Sequence, residues 1–234
     1  MTPLNQASKG LLTMLALTGM FAFSSCSKDD DDTTVDPDAT VKIVNVLPDA
    51  GPVDVYNGTS KLNSSTIAYG EATPYISVKD GDARIDFKST VTGNTVLSTP
   101  VDFDGGSYSL FAAGETDGNA TVGILAKDDL KAPASGKAKV RFVHAGSDAP
   151  TVNFLLNDNV LVNSAGFKSA SEFREVDAGT YTLKLNNASS GETALTRDGI
   201  VMEAGKIYTV VAQGLLTPTP VLEQPLSLNI LTNN

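Results

Sequence analysis

The chain repeats itself. "VKIVNVLPDAGPVDVY" (41–56) lies over "VRFVHAGSDAPTVNFL" (140–155) without a gap. Val41, Val44, Asp49, Ala50 and Val53 recur as Val140, Val143, Asp148, Ala149 and Val152, and Lys42 corresponds to Arg141, Ile43 to Phe142 and Asp54 to Asn153. "YISVKDGDARIDF" (75–87) then follows "FREVDAGTYTLKL" (173–185), and "DGGSYSLFAAG" (104–114) follows "EAGKIYTVVAQG" (203–214) with one residue inserted. An internal repeat has to be recognised before any other reading, because one pattern must then build a core twice. Each unit runs about 97 residues. "KAPASGK" (131–137) has the Pro, Gly and Ser of a linker. The expected division is a first repeat over 40–134 and a second over 135–234.

Within a unit the pattern is short and alternating. In "YTLKLN" (181–186) Tyr181, Leu183 and Leu185 share one face, and in "ARIDFK" (83–88) Ile85 and Phe87 do the same. Turn signals recur as "DGD" (80–82), "TGN" (92–94), "AGT" (178–180) and "SSG" (189–191). No window carries a helical apolar stripe. Seven or so strands per unit predict an all-β chain of two tandem antiparallel β-sandwiches of immunoglobulin-like shape. The chain has no Trp and a single Cys, so the markers of true immunoglobulin domains are missing and the topology stays open.

"VRFVHAGSDAPTVNFLL", "VDAGTYTLKL" and "EAGKIYTVVAQG" together resemble domain of unknown function 4397. That family's opening strand typically reads valine-arginine-valine-valine-histidine, followed by a serine-proline-aspartate-alanine-proline turn. The resemblance covers roughly 40–234 and is clearer in the second unit. It implies a β-sandwich in secreted or surface proteins and implies no activity. Gly146 departs from the pattern before the turn, and Asn45 stands where the first unit would carry His.

The first residues read as an address. Lys9 makes a basic start, and no acid precedes Asp29. "GLLTMLALTGMFAF" (10–23) is apolar but short. Fourteen residues at ~1.5 Å each give about 21 Å, less than the ~30 Å hydrocarbon core, which is the length of a signal-peptide segment. Ser24 and Ser25 precede Cys26, the only cysteine, as in a bacterial lipobox, with Phe23 where Leu is usual. Residues 1–25 are expected to be a cleaved signal peptide, Cys26 the lipidated N-terminus holding the protein in a membrane, and 26–39 an acidic tether. "CSKDDDD" (Ser27, Lys28, Asp29, Asp30, Asp31, Asp32) resembles the export signal of Bacteroidota surface lipoproteins, which implies the outer face of the outer membrane; a periplasm-facing lipoprotein is the alternative. Thr33 in "DTT" resembles a short O-glycosylation acceptor of that phylum. Removing residues 1–25 removes Lys9 and moves the formal net charge from −10 to −11. Such an acidic surface repels phosphate backbones and argues against nucleic-acid partners.

Catalytic constellations are sparse. His144, the one histidine, has Asp148 four residues on, which reads as half a metal site or an acid–base pair. The simpler reading makes Asp148 a turn residue, since the first unit keeps Asp49 without a His. One His is too few for zinc, and no G-x-S-x-G elbow is present. "DGD" (80–82), "DFD" (102–104) and Asp128–Asp129 are calcium candidates, but the first two do not recur in the second unit. The expectation is no catalytic residue, no metal and no cofactor. Loops carry binding, so the divergent segments 57–72 and 157–170 are the candidate ligand loops, with Tyr56, Asn57 and Tyr69 as glycan- or protein-contacting residues. Three functions follow: a binding or adhesive module, a structural subunit of an envelope complex, and a carboxylate-based hydrolase.

Overall fold

The computed structural model describes residues 38–116, 121–219 and 223–234, all within one compact unit that spans Asp36–Asn234. Every regular element among them is a strand. The first sandwich is built from β1 (Ala39–Asn45), β2 (Val53–Asn57), β3 (Ser60–Lys61), β4 (Ile76–Val78), β5 (Gly81–Ser89), β6 (Thr95–Phe103), β7 (Ser107–Ala113) and β8 (Val122–Asp128). The second is built from β9 (Lys137–His144), β10 (Val152–Leu156), β11 (Asn159–Ala165), β12 (Arg174–Asp177), β13 (Gly179–Asn187), β14 (Thr193–Met202), β15 (Ile207–Gln213) and β16 (Ser227–Thr232). The strands form four four-stranded sheets, β4-β1-β7-β8 with β3-β2-β5-β6, and β12-β9-β15-β16 with β11-β10-β13-β14. The two halves have the same strand order, as the repeat requires.

Most pairings are antiparallel, as expected for a sandwich. One pair per half departs: β1 runs parallel to β7, and β9 parallel to β15. The chain leaves β1 for the opposite sheet and returns through β7, so the two strands meet without a hairpin and can share a direction.

The four sheets stack as layers. Val41 and Ile43 of β1 face Val55, Ile85 and Phe87 in the first core. Val140 and Phe142 of β9 face Phe154, Leu183 and Leu185 in the second, where the Phe142 and Phe154 rings stack 4.7 Å apart. A third cluster lies between the halves: Val44, Val46, Phe111 and Ala113 of the first pack on Val143, Ala145 and Val211 of the second. The inner sheets are therefore covered on both faces. This explains why β9 and β15 are buried along nearly their whole length, whereas the outer β6 alternates. Strands buried on both sides read as continuous apolar runs, not as alternation.

Tight turns carry their own constraint. At Gly214, with φ +84°, an added Cβ would lie 2.3 Å from the Pro225 carbonyl oxygen, so only glycine fits.

Phe111 is fully buried between the halves. Phe111→Ala is expected to lower unfolding stability by ~3–5 kcal/mol in urea titration, while Val91→Ala, at a side chain 75% exposed, stays within about 0.5 kcal/mol.

Candidate functional site

His144 sits at the end of β9 with no exposed surface. Its Nε2 lies 3.0 Å from the Pro150 carbonyl oxygen. A carbonyl only accepts, so Nε2 carries the proton and donates, leaving Nδ1 buried and without a partner. Burial pushes the imidazole pKa below its ordinary value. In the first repeat, Asn45 does the same job: its Nδ2 donates to the Gly51 carbonyl at 3.0 Å and to the Ile67 carbonyl at 3.1 Å. His144 is thus held as a turn-bracing side chain.

Asp148 does not turn toward His144. Its carboxylate accepts the Leu216 N–H at 2.7 Å, the Thr217 N–H at 2.8 Å and the Thr217 hydroxyl at 2.9 Å. Besides the bond to its own backbone that the turn reading expected, Asp148 staples the loop that follows β15. Asp49 repeats the arrangement, accepting from the Thr116 N–H at 2.8 Å and its hydroxyl at 2.5 Å. Burial raises the Asp148 pKa, but these hydrogen bonds outweigh it and hold the carboxyl below its ordinary value.

Of the calcium candidates, Asp82 and Asp102 face each other across β5 and β6. Asp129 is paired with Lys139 at 2.6 Å. Among the described residues, no group of three or more carboxylate, His or Cys side chains is placed to hold a metal ion.

The three candidate ligand residues are not brought together. Tyr56 and Asn57 lie on β2, in an outer sheet, with the Lys88 ammonium 4.6 Å from the Tyr56 ring centre. Tyr69 points elsewhere. Its hydroxyl is buried near Gln213 and Ser227 of the second half, without a hydrogen bond of normal geometry, and burial pushes its pKa well above the ordinary phenol value. Neighbouring Gly70 is bound there too, its carbonyl accepting from Asn229 Nδ2 at 2.7 Å. The half-buried Tyr69 therefore takes part in the contact between the halves. Cys26, the segment Ser27–Asp32 and Thr33 lie outside the described residues.

The divergent segment 57–72 nonetheless forms a concavity. In the second repeat β11 runs seven residues along β10 with four of them paired, while β3 of the first has only two residues. After Leu62, whose N–H still bonds the Val55 carbonyl at 2.8 Å, the chain leaves the sheet edge and rejoins β2 at Ile67, which bridges Val53. A cleft of about 330 Å³ opens between 62–67 and 71–76. Leu62, Ile67 and Ile76 supply its apolar wall, and Ser64, Ser65, Thr66 and Glu71 its polar side. Asn63 fixes one lip, since its side chain accepts the Val55 N–H at 2.8 Å and donates to Asp54 at 3.1 Å and to the Ser65 carbonyl at 2.7 Å. A second concavity, lined by Asp49, Ser89, Thr92, Asn94 and Thr116 with Ala50 and Val96, is mostly polar.

The sequence reading missed a buried ionic cluster between the halves. Arg141 Nη2 lies 2.6 Å from Asp128 Oδ1, with side chains 1% and 0% exposed. Asp128 Oδ2 also accepts the Tyr75 hydroxyl at 2.5 Å and the Ser109 hydroxyl at 2.8 Å. Burial and the adjacent carboxylate push the Tyr75 hydroxyl pKa well up. The available signal was Lys42 and Arg141, a cation at the same place in two apolar strands.

Residues 39–155 and 140–226 match the family described as Domain of unknown function (DUF4397). No protein of curated function matches the sequence. Similar solved structures include a family 26 carbohydrate-binding module from Eubacterium rectale in complex with maltoheptaose, 12% identical, covering 80% of this chain and 100% of that one at a TM-score of 0.25. A fimbrial anchor protein from Porphyromonas gingivalis is 9% identical and covers 82% of this chain and 97% of that one at a TM-score of 0.22.

Burial holds the folded His144 pKa below the unfolded value of about 6.5, so as pH falls through that value the unfolded state binds more protons and stability drops. His144→Asn is expected to remove this slope just below pH 6.5 and to stay within ~1 kcal/mol of the parent at pH 8. His144→Ala, which leaves the Pro150 carbonyl unpaired, should lose more than ~1 kcal/mol. Thermal denaturation across pH checks both. Asp129 and Asp148, whose carboxyls sit below their ordinary values, lose their contribution only near pH 4 and below.

Proposed function

The chain belongs to the DUF4397 family, and from that premise we propose that it is a non-catalytic, lipid-anchored binding or adhesion module whose ligand site is the cleft between 62–67 and 71–76. The amphipathic cleft carries the proposal. It joins an apolar wall to a hydroxyl-rich side and one carboxylate, and such a mix lets a ligand bury carbon while its polar groups find partners. It is built from a segment that the second repeat uses as a strand, and its exposed side chains Ser64, Ser65 and Thr66 are free of the core. The groups best suited to acid–base chemistry are committed elsewhere: His144 braces a turn, and Asp128 is locked in an ion pair.

The ligand class is a glycan or a protein segment on the outside of the cell. Cys26 is the proposed anchor, residues 27–32 the export signal and Thr33 a glycan acceptor. The domain division at 134/135 belongs to the same proposal. The extensive contact between the halves favours a second reading, a rigid spacer or accessory subunit of an envelope complex, for which co-purification of a partner from membranes is the signature.

Residues 33–234, screened against glycan and host-protein panels, are expected to give a hit that Ser65→Trp weakens at least tenfold without moving Tm. Tyr56→Ala, on the outer sheet, should leave it intact. Binding insensitive to Ser65→Trp removes the cleft as the site, and an empty panel counts against the binding reading. Protease treatment of intact cells is expected to remove the parent protein and to spare a variant with Asp29–Asp32 changed to Ala. Protection of both would place the protein facing the periplasm.

A further inference from the structure

We propose that the carboxylate of Asp128 is the latch that joins the two sandwiches into one body, and that position 233 is its mirror site.

The contact between the halves is nearly self-symmetric. In each repeat a cation from the opening strand lies against an aromatic ring of its own half: Lys42 Nζ is 4.7 Å from the Tyr75 ring centre, and Arg141 Cζ is 4.6 Å from that of Phe173. Tyr75 and Phe173 are equivalent in the repeat alignment. Each cation then reaches the last strand of the other half. Lys42 Nζ donates to the Thr232 carbonyl at 2.6 Å, and Arg141 Nη1 to the Lys127 carbonyl at 3.4 Å. Thr232 and Lys127 are equivalent, because Thr232 pairs with Tyr208 and Lys127 with the matching Tyr108. One residue further on, Asp128 pairs with Ser107, and the Asn233 N–H bonds the Ile207 carbonyl at 2.7 Å. Asp128 and Asn233 therefore occupy mirror positions.

The symmetry breaks in charge, and in the Tyr75 hydroxyl that Phe173 lacks. A symmetric contact would set two carboxylates against two cations. This one holds a single carboxylate, bonded to Arg141 and close enough to Lys42 to offset part of the burial that lowers the lysine pKa. Asn233 is wired into the same network: its Oδ1 accepts the Thr209 hydroxyl at 2.8 Å, and its Nδ2 donates to the Tyr75 hydroxyl at 3.1 Å. Arg141 Nε donates to that same Thr209 oxygen at 2.9 Å. A carboxylate at 233 would thus lie beside Lys42 and one hydroxyl away from Arg141.

The asymmetry also chooses the partner. Two copies of the second face would bury two guanidinium groups with no anion, which is strongly unfavourable. The second half is satisfied only by a first half. The segment between them is pinned as well, since Lys139 Nζ holds Asp129 at 2.6 Å and the Lys131 carbonyl at 2.7 Å.

The test uses the purified full-length chain, Asp128→Asn, Asn233→Asp and the double variant. The parent should unfold in one transition and resist trypsin at Lys131. Asp128→Asn should split the transition in two and raise the cleavage rate on the order of a hundredfold. The double variant should recover a single transition and most of the protection, which a merely local packing role for Asp128 does not predict. An unchanged transition and cleavage rate in Asp128→Asn overturns the latch, and failure of the double variant to recover overturns the mirror site. Should Asp128→Asn not fold, Asn233→Asp alone decides: a higher Tm and slower cleavage than the parent support the proposal, and no change or a loss overturns it.

Discussion

Arg141 and Asp128 meet 2.6 Å apart between two β-sheets, and neither side chain reaches water. Charges removed from water need both a partner and hydrogen bonds on their remaining atoms. Here Tyr75, Ser109, Thr209 and the Lys127 carbonyl supply those bonds. They come from both halves of the chain. The ion pair is tolerable only while the two inner sheets lie face to face, and the apolar packing of Val44, Phe111, Val143 and Val211 beside it is what brings them there.

That contact decides where function can reside. The opening strands β1 and β9 and their neighbours β7 and β15 are buried along nearly their whole length, so they offer little surface to a ligand. What is left is the outer sheets, the sheet edges and the turns at the ends. Tyr69 shows the division: it lies in a segment of ordinary loop composition, yet its ring faces Gln213 and Ser227. Six residues earlier, Asn63 begins a cleft that opens outward. One segment thus serves the contact between the halves with one end and offers a binding surface with the other.

Turn-bracing by unlike residues is a second consequence of duplication. His144 and Asn45 occupy one position and donate to equivalent carbonyls, those of Pro150 and Gly51. The geometry asks only for a donor of suitable length. The imidazole is therefore a structural choice, and its one chemical mark is a depressed pKa caused by burial.

Much of this was legible in the residues. The two-fold repetition of Val41–Val53 in Val140–Val152 implies two similar units, because identical apolar spacing demands identical cores, and the alternation in Tyr181–Leu185 and Ile85–Phe87 marks strands with one wet face. Membership of the family was likewise carried by the strand and turn motifs of the second unit. The facing of one unit against the other was not legible. The matched positions Lys42 and Arg141 carry no local sign of burial, since a cation in a strand is normally exposed, and only the stacked sheets make them buried partners of a carboxylate 86 and 13 residues away in sequence. The cleft was hidden for a related reason: a polar segment declares that it is a loop, but its concavity depends on how far the neighbouring strand extends. Local pattern determines which residues form strands and which face of each is apolar. Which apolar face meets which, and so which charges are buried and which surface stays open, is a long-range packing outcome that the tertiary structure alone decided.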